Sequence, residues 1–178
     1  MITPPERFMT ERLVLRRTAL RDSVAIYEEY ATDPEVTRYL TWRPHSSPEN
    51  LPVFLRGLVA RWESGEEFSW VITLGNQDRA VGMLNARIRG HMVDLGYVLG
   101  RRHWKQGYMT EAVATLVKWA FGQPDLFRIW ATCDVDNVPS ARVLEKSSFQ
   151  REGILRRWII HPNVSAQPRD CYVYAQVR

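Results

Sequence analysis

The sequence contains few cysteines and no long apolar run. Cys133 and Cys171 are the only two cysteines in 178 residues. Neither has a second Cys or a His nearby at a metal-ligand spacing, so a zinc site and a disulfide framework are not expected. No run approaches the roughly 20 apolar residues that cross a bilayer, and the first residues lack the apolar stretch of a signal peptide. We therefore expect a soluble, cytoplasmic protein that binds neither a metal nor a membrane.

The sequence also lacks an extended basic region. Lys and Arg number 24 against 20 Asp and Glu, for a net charge of +4, and they are spread along the chain. Nucleic-acid binders concentrate basic residues on one face or helix, so a nucleic-acid partner is not expected. The length and the 45% hydrophobic content suit one core, and we expect one domain over residues 1–178. The one local basic cluster is Arg101, Arg102 and Lys105.

The basic cluster lies in a strand, loop and helix segment. Apolar residues alternate over residues 93–99 at the period of a strand, and they recur over residues 109–120 at helical spacing. The first N–H groups of a helix lack internal partners and lie at the positive end of its dipole, so they bind anions. Gly107 would let the backbone come close to such a ligand. The segment predicts a polyphosphate-binding loop, and an ordinary solvated turn is the alternative.

Two motifs in this sequence resemble one superfamily. Residues 104–112 resemble the pyrophosphate-binding loop of the GNAT superfamily of acetyl-CoA-dependent N-acetyltransferases. Residues 134–149 resemble the second signature of that superfamily. Residues 10–16, 33–42 and 169–174 are similar to its ribosomal-protein-alanine N-acetyltransferase (RimJ/RimL-type) branch. The resemblance therefore covers nearly the whole chain.

The sequence departs from the superfamily pattern at three places. Trp104 and Met109 occupy the first and last places of the loop motif, where Gln or Arg and Gly or Ala are usual. Ser148 replaces the glycine before Phe149. Leu144 occupies the place where many GNAT members carry a tyrosine that reprotonates the leaving thiolate. A tyrosine acid at that position is therefore excluded.

The resemblance implies an α/β GNAT fold. In that fold a mixed, mostly antiparallel sheet is flanked by helices and splayed between two central parallel strands. Hydrophobic patterning predicts strands and helices in a matching order. The predicted strands are residues 12–17, 68–74, 80–88, 94–100, 127–134, 149–160 and 169–177, of which 94–100 and 127–134 are the parallel pair. The predicted helices are residues 22–31 with Asp22 as the cap, 48–65, 109–120 and 137–147, with an irregular connection over 33–47 and turns at 75–78 and 90–91.

The resemblance also assigns residues to the co-substrate acetyl-CoA. Backbone groups of Tyr97, Val98 and Leu99 would pair with the amides of the pantetheine arm, as an added strand pairs with a sheet edge. The N–H of Val98 would face the thioester oxygen as it gains charge. The other predicted cofactor-binding residues are Arg102, Lys105, Gln106, Gly107, Tyr108, Met109, Thr110, Asn137, Ser140 and Lys146. Asn137 could instead cap the predicted helix 137–147, or it could serve both purposes.

Ser140 is the predicted catalytic residue, with its hydroxyl near the cofactor sulfur. The alternative is that Ser140 only bonds the backbone in the first turn of a helix. No general base stands out. Asp94 and Glu152 are candidates on predicted strands, whereas His91 and His103 lie at loop edges and are expected to be exposed. An α-amine, with a pKa near 7.7–8.0, needs only a weak base, whereas a Lys side chain, near 10.4, would demand one.

These observations predict an N-acetyltransferase that moves an acetyl group from acetyl-CoA to a primary amine. A protein N-terminal α-amine is the leading acceptor. A small-molecule amine, such as an amino acid, a polyamine or an antibiotic, is the second possibility, and a non-catalytic acyl-CoA-binding module is the third. The acceptor pocket implied by the resemblance includes Tyr39, Trp42 and His45 with the hairpin residues 162–169. A homodimer is compatible with each of these functions.

Overall fold

The computed structural model describes residues 2–75 and 77–178. Within these ranges, eight strands form one mixed sheet. The strands are β1 Arg7–Met9, β2 Leu13–Arg17, β3 Phe68–Leu74, β4 Gly82–Arg89, β5 Met92–Leu99, β6 Arg128–Asp134, β7 Gln150–Ile159 and β8 Arg169–Val177. Their order across the sheet is β1-β2-β3-β4-β5-β6-β8-β7, and within the described residues only β5 and β6 pair in parallel. The mixed, mostly antiparallel sheet is the predicted one.

Within the part of the chain that the structure describes, five α-helices flank the sheet. They are α1 Ser23–Ile26, α2 Pro34–Thr37, α3 Leu51–Ser64, α4 Tyr108–Phe121 and α5 Val138–Lys146. A π-helical turn, Tyr27–Ala31, continues α1, and a 3-10 turn, Arg101–His103, precedes α4. No helix in the ranges 2–75 and 77–178 is long and apolar enough to cross a membrane.

The two parallel strands separate after a short contact. β5 pairs with β6 only at Met92, Val93 and Asp94 among the described residues. Beyond this point β4 continues to pair with β5 as far as Leu99, and β8 continues to pair with β6 as far as Asp134. β5 therefore stays paired with β4 and β6 stays paired with β8, while β5 and β6 no longer pair with each other. The divergence leaves an open backbone edge on each side of the gap.

The hydrophobic core of the described residues has two parts, and β5 contacts both of them. The larger cluster packs α4 and α5 against the sheet and includes Leu95, Leu116 and Leu144. The smaller cluster packs the region from α1 to α3 and includes Tyr30 and Leu55. Because successive residues of a strand point to opposite faces, β5 contributes Leu95 and Leu99 to the first cluster while Val98 packs against the second.

Three of the local predictions need correction. The strand Arg7–Met9 was not predicted, because three residues are too few to show alternation. The connection predicted to be irregular contains α2, and Asp33 caps this helix by accepting a hydrogen bond from the N–H of Glu35. The Asp22 carboxylate does not cap the first helix, because it accepts hydrogen bonds from Arg16 and from the N–H of Ala19. The predicted turn at 75–78 includes Asn76, which lies outside the described residues.

Candidate functional site

The loop between β5 and α4 has the backbone shape of an anion site. Lys105 has φ 61° and Gly107 has φ 80°, so two residues of the loop are left-handed just before the helix. Such a conformation is uncommon for a lysine, and left-handed residues next to right-handed ones turn successive N–H groups toward one point. Gly107 is the N-cap of α4, whose first-turn N–H groups add to that set. The left-handed Gly107, followed by the right-handed first turn of α4, therefore presents N–H groups that lack partners within the helix at the positive end of a 14-residue helix.

Two arginines of the loop are already paired with carboxylates. The Arg102 guanidinium lies 2.5 Å from Glu29, and Arg101 lies 2.9 Å from Asp33. Lys105 makes no ion pair with any described residue. The predicted contact of Arg102 with phosphate therefore requires this arginine to leave Glu29 or to bond both groups.

Arg12 is a component of this loop that the sequence reasoning missed. Its guanidinium donates to the carbonyl of Gln106 at 3.0 Å, donates to the Glu111 carboxylate at 2.7 Å and lies 4.7 Å from the centre of the Tyr108 ring. A Cβ on Gly107 would lie 3.4 Å from Arg12 Nη2, which is an ordinary contact. The left-handed backbone, and not crowding by the protein, is therefore what favours glycine at position 107. No periodicity could reveal Arg12, because its partners lie far along the chain.

Trp104 and Met109, which depart from the superfamily motif, have structural roles. The indole N–H of Trp104 donates to the carbonyl of Leu99 at 2.7 Å and ties the loop back to the end of β5. Met109 is buried in the larger core cluster. Leu144, where a tyrosine is common, is fully buried in the same cluster. These three residues stabilise the fold around the loop and the gap.

Ser140 closes one face of the gap between β5 and β6. The Tyr97 hydroxyl of β5 lies 2.8 Å from Ser140 Oγ and 3.1 Å from the Ser140 carbonyl. The Asn137 side chain accepts a hydrogen bond from the Ser140 N–H, which confirms the predicted cap of α5. Burial raises the pKa of Tyr97, although the hydrogen bond to Ser140 opposes that shift, and burial raises the pKa of neighbouring Cys133 to about 12. Both groups are therefore neutral at physiological pH, and Tyr97 is a hydrogen-bonding partner of Ser140.

Most of the remaining predicted cofactor-binding residues lie between the gap and the loop, whereas Lys146 lies away from both. Gln106, Tyr108 and Thr110 lie in the loop and the first turn of α4, at the end of β5. Val98 and Leu99 lead from the gap to that loop. Lys146 is the last residue of α5, about 9 Å along the helix axis from Ser140 at 1.5 Å per residue. It therefore lies at the opposite end of α5 from the gap.

The two candidate bases are both bound to arginine. Asp94 accepts a hydrogen bond from Arg87 at 3.0 Å across the β4–β5 pair. Burial raises the pKa of Asp94, and Arg87 opposes this shift. Glu152 is exposed and accepts a hydrogen bond from Arg128 at 2.9 Å, which lowers its pKa. Each carboxylate is therefore held in an ion pair with an arginine of another strand.

The two histidines at loop edges differ from each other. His91 is exposed as expected. The expectation that His103 is exposed is wrong, because its Nε2 lies 3.1 Å from the buried carboxylate of Glu29. This contact joins residues on separate elements, so no local pattern could predict it.

A bridging segment, residues 27–45, connects the two sides of the gap. On one side its carboxylates contact the loop residues Arg101 and Arg102. On the other side Asn163 of the β7–β8 connection donates to the carbonyls of Thr37 at 2.7 Å and Trp42 at 2.8 Å. The structure thus brings the predicted acceptor region of the first helices together with the final hairpin.

A buried ionic cluster lies beside the bridging segment at the end of β6. Asp134 accepts hydrogen bonds from Arg169 at 2.5 and 3.0 Å, and His161 Nε2 lies 3.7 Å away. Burial would raise the pKa of Asp134, but the hydrogen bonds from Arg169 lower it. Burial lowers the pKa of His161, and Asp134 opposes this shift. The His161 ring packs edge to face against Tyr39 at 6.2 Å, and its Nδ1 has no hydrogen-bond partner among the described residues.

Comparisons with known proteins agree with this geometry. A family model described as an acetyltransferase (GNAT) domain matches residues 12–150. The chain is 32% identical over 154 residues to the uncharacterized N-acetyltransferase p20 of Bacillus licheniformis, covering 85% of this chain and 86% of that protein. It is 24% identical over 176 residues to the [ribosomal protein uS5]-alanine N-acetyltransferase of Escherichia coli, covering 94% and 88%. A solved acetyltransferase (GNAT family) from Bacillus anthracis superposes with a TM-score of 0.82 at 28% identity, covering 96% and 98%.

Proposed function

Because this chain belongs to the acetyltransferase (GNAT) domain family, we propose that it transfers the acetyl group of acetyl-CoA to a protein N-terminal α-amine. The observation that carries the proposal is the continuity of the site. Residues 100–107, between β5 and α4, form what we call the anion loop, in which Lys105 and Gly107 have positive φ. From this loop the open edge of β5 leads to the Ser140 hydroxyl. One end of this path suits a pyrophosphate, and the other lies where a thioester would be placed.

The described residues fit acetyl-CoA by its chemistry. The N–H groups around Gly107 and the first turn of α4 would hold the pyrophosphate. The open edge of β5 over Tyr97, Val98 and Leu99 would pair with the pantetheine amides, as a peptide pairs in strand addition. Bound acetyl-CoA supplies an activated acyl group, so the protein needs no metal for the reaction.

The residues of the gap would supply orientation and a proton. The neutral amine nitrogen would form a bond to the thioester carbon, and the carbon–sulfur bond would break with its electron pair going to sulfur. The nitrogen would lose one proton to water, and any proton that Ser140 gives to sulfur would be replaced from solvent. Ser140 Oγ donates a hydrogen bond or a proton to that sulfur. The Tyr97 hydroxyl, 2.8 Å from Ser140 Oγ, would donate to that oxygen in turn, so that the serine proton is free for the leaving group. Orientation of the two reactants supplies on the order of 7–11 kcal/mol of barrier reduction, and the thiolate, whose pKa is about 8.5, needs little assistance.

The acceptor assignment is supported by the state of the carboxylates near the gap. Asp94 and Glu152 each accept hydrogen bonds from an arginine, and a proton taken up by either carboxylate would weaken that ion pair. An α-amine, with a pKa near 7.7–8.0, is already substantially neutral at physiological pH, whereas a lysine side chain is not. The similarity to an enzyme that acetylates the alanine of a ribosomal protein points the same way. A small-molecule amine remains the competing acceptor.

The test is turnover of acetyl-CoA with a panel of acceptors, measured as release of free thiol. Peptides with a free, small first residue should react faster than N-terminally blocked peptides that contain lysine. The rate should follow a single ionisation near that of the free α-amine. Faster turnover of polyamines, amino acids or blocked peptides would show that the acceptor is one of these amines and not a protein N-terminal α-amine. Tight CoA binding with no thiol release for any acceptor would favour a non-catalytic binding module.

A further inference from the structure

We propose that Glu29 is a positioning residue that sets the shape of the anion loop. The inference rests on the proposed function, since the loop matters only as the pyrophosphate site. The Glu29 side chain is 2% exposed, whereas its partner Arg102 is 72% exposed. A carboxylate is seldom buried without partners, because loss of its hydration is costly. Here its oxygens accept from Arg102 and lie 3.1 Å from His103 Nε2.

Close packing directs this carboxylate to the loop. A Cβ on Gly100 would lie 2.6 Å from Glu29 Oε1 and 2.8 Å from its Cγ, both far inside normal contact. Glycine at position 100 therefore makes the space that Glu29 fills. Gly100 joins β5 to the 3-10 turn Arg101–His103, so Glu29 touches the loop at its first residue and at two residues of its turn.

Glu29 lies in an irregular part of its helix. Glu29 lies in the π-helical turn Tyr27–Ala31, a feature that occurs often at functional sites. Its neighbour Glu28 is exposed and pairs instead with Arg79 at 2.7 Å. Asp33, a little further along, provides a second tie to the loop through Arg101. The bridging segment thus holds the loop through two carboxylates, while its other end contacts Asn163 in the β7–β8 connection.

This arrangement assigns Arg102 a role as a tether. With its guanidinium directed to Glu29, Arg102 anchors the turn, and the phosphates are left to the backbone N–H groups around Gly107. Removal of either partner should release the same turn. The effects of the two removals should therefore not add.

The test compares Glu29→Gln with the matched control Glu28→Gln. Glu29→Gln should weaken CoA binding in calorimetry by at least about tenfold, the equivalent of about 1.4 kcal/mol. It should raise KM for acetyl-CoA similarly, while kcat and KM for the amine change less than about twofold. Glu28→Gln should leave all four quantities unchanged. Arg102→Ala should weaken binding to a similar degree, and the double variant Glu29→Gln with Arg102→Ala should bind no worse than either single variant.

Gly100→Ala provides a second approach if Glu29→Gln does not fold. Its methyl group displaces the Glu29 carboxylate, so it should weaken CoA binding in the same way. Unchanged or tighter CoA binding in folded Glu29→Gln or Gly100→Ala would overturn the inference and leave the proposed function intact. Additive losses in the double variant would overturn it as well, because they would give Arg102 an independent contact with the phosphates. Failure of the unsubstituted protein to bind CoA would overturn the proposed function itself.

Discussion

Substitution of Gly107 by alanine should separate the strain of the loop from its function. Gly107 has φ 80°, a conformation that costs an L-residue with a side chain about 1–2 kcal/mol. The added methyl group would meet only Arg12 Nη2, at 3.4 Å, so no clash with the protein adds to this cost. For a chain of this length 1–2 kcal/mol lowers Tm by about 2–8 °C. The methyl group would also occupy the space proposed for the pyrophosphate, and CoA affinity should fall at least about tenfold.

Gly90 offers a matched control for this substitution. It has φ 59°, and no atom lies within 4 Å of the position its Cβ would take. It belongs to the turn between β4 and β5, at the far end of β5 from the anion loop. Gly90→Ala should therefore lower Tm about as much as Gly107→Ala and leave CoA affinity unchanged. Thermal unfolding and calorimetry on the two variants measure both quantities.

Asparagine at position 107 makes the test more stringent. Asn tolerates the left-handed region better than alanine does, so Gly107→Asn should recover part of the lost stability. It still places a Cβ in the loop, and CoA affinity should stay low. The reasoning is refuted if Gly107→Asn restores CoA affinity together with stability, because loop strain alone would then explain the loss. It is refuted equally if Gly90→Ala weakens CoA binding as much as Gly107→Ala.

Other substitutions test the gap, the acceptor side and the buried cluster. Ser140→Ala should lower kcat about tenfold or more with little change in CoA affinity, and normal turnover with reduced stability would make Ser140 a purely structural residue. Tyr97→Phe should lower kcat about threefold to tenfold alone but have no further effect on top of Ser140→Ala, and additive losses would contradict the proposed hydrogen bond between them. Asn163→Ala removes two hydrogen bonds to the bridging segment, so it should raise KM for the amine about tenfold at unchanged CoA affinity, and an equal loss for both substrates would argue against an acceptor role. The folded pKa of His161 lies below its ordinary value of 6.5, so its contribution to stability is complete above pH 6.5 and is lost as the pH falls below it. The drop in Tm below pH 6.5 should be shallower in His161→Gln than in the exposed control His91→Gln, and equal drops would contradict the sign of this shift.

Features that depend on local sequence were predicted well. The order of the sheet elements from β2 onward follows from alternation and helical spacing, and the cap of α5 by Asn137 follows from side-chain chemistry next to a proline. Gly107 was predicted to allow close approach to a ligand, and its left-handed φ gives a physical reason for glycine at that place. These features involve residues near one another in the chain, where spacing carries information.

Features that depend on contacts between distant segments were not predicted. Glu29 with Arg102, Arg12 with Gln106, and Tyr97 with Ser140 each join residues of different elements. A single sequence gives no signal for such pairs, because helix and strand periodicities say which face a residue is on and not what lies opposite. The same limit applies to Asp94 and Glu152, because no local pattern predicts their arginine partners on other strands. The roles of the cofactor-binding residues stay predictions until binding is measured.

The early separation of β5 from β6 has a consequence for amide hydrogen exchange. Along a strand, successive backbone N–H groups point alternately to its two edges. From Leu95 to Leu99 the edge toward β4 is paired, and the edge toward the gap is open. In this stretch the amides that point to β4 should therefore exchange slowly, and those that point into the gap should exchange quickly. This difference is expected although β5 lies in the middle of an eight-stranded sheet. A ligand that pairs with the open edge would slow the exchange of the gap-facing amides that it contacts. The amides that lose their fast exchange would therefore show where the ligand lies along β5.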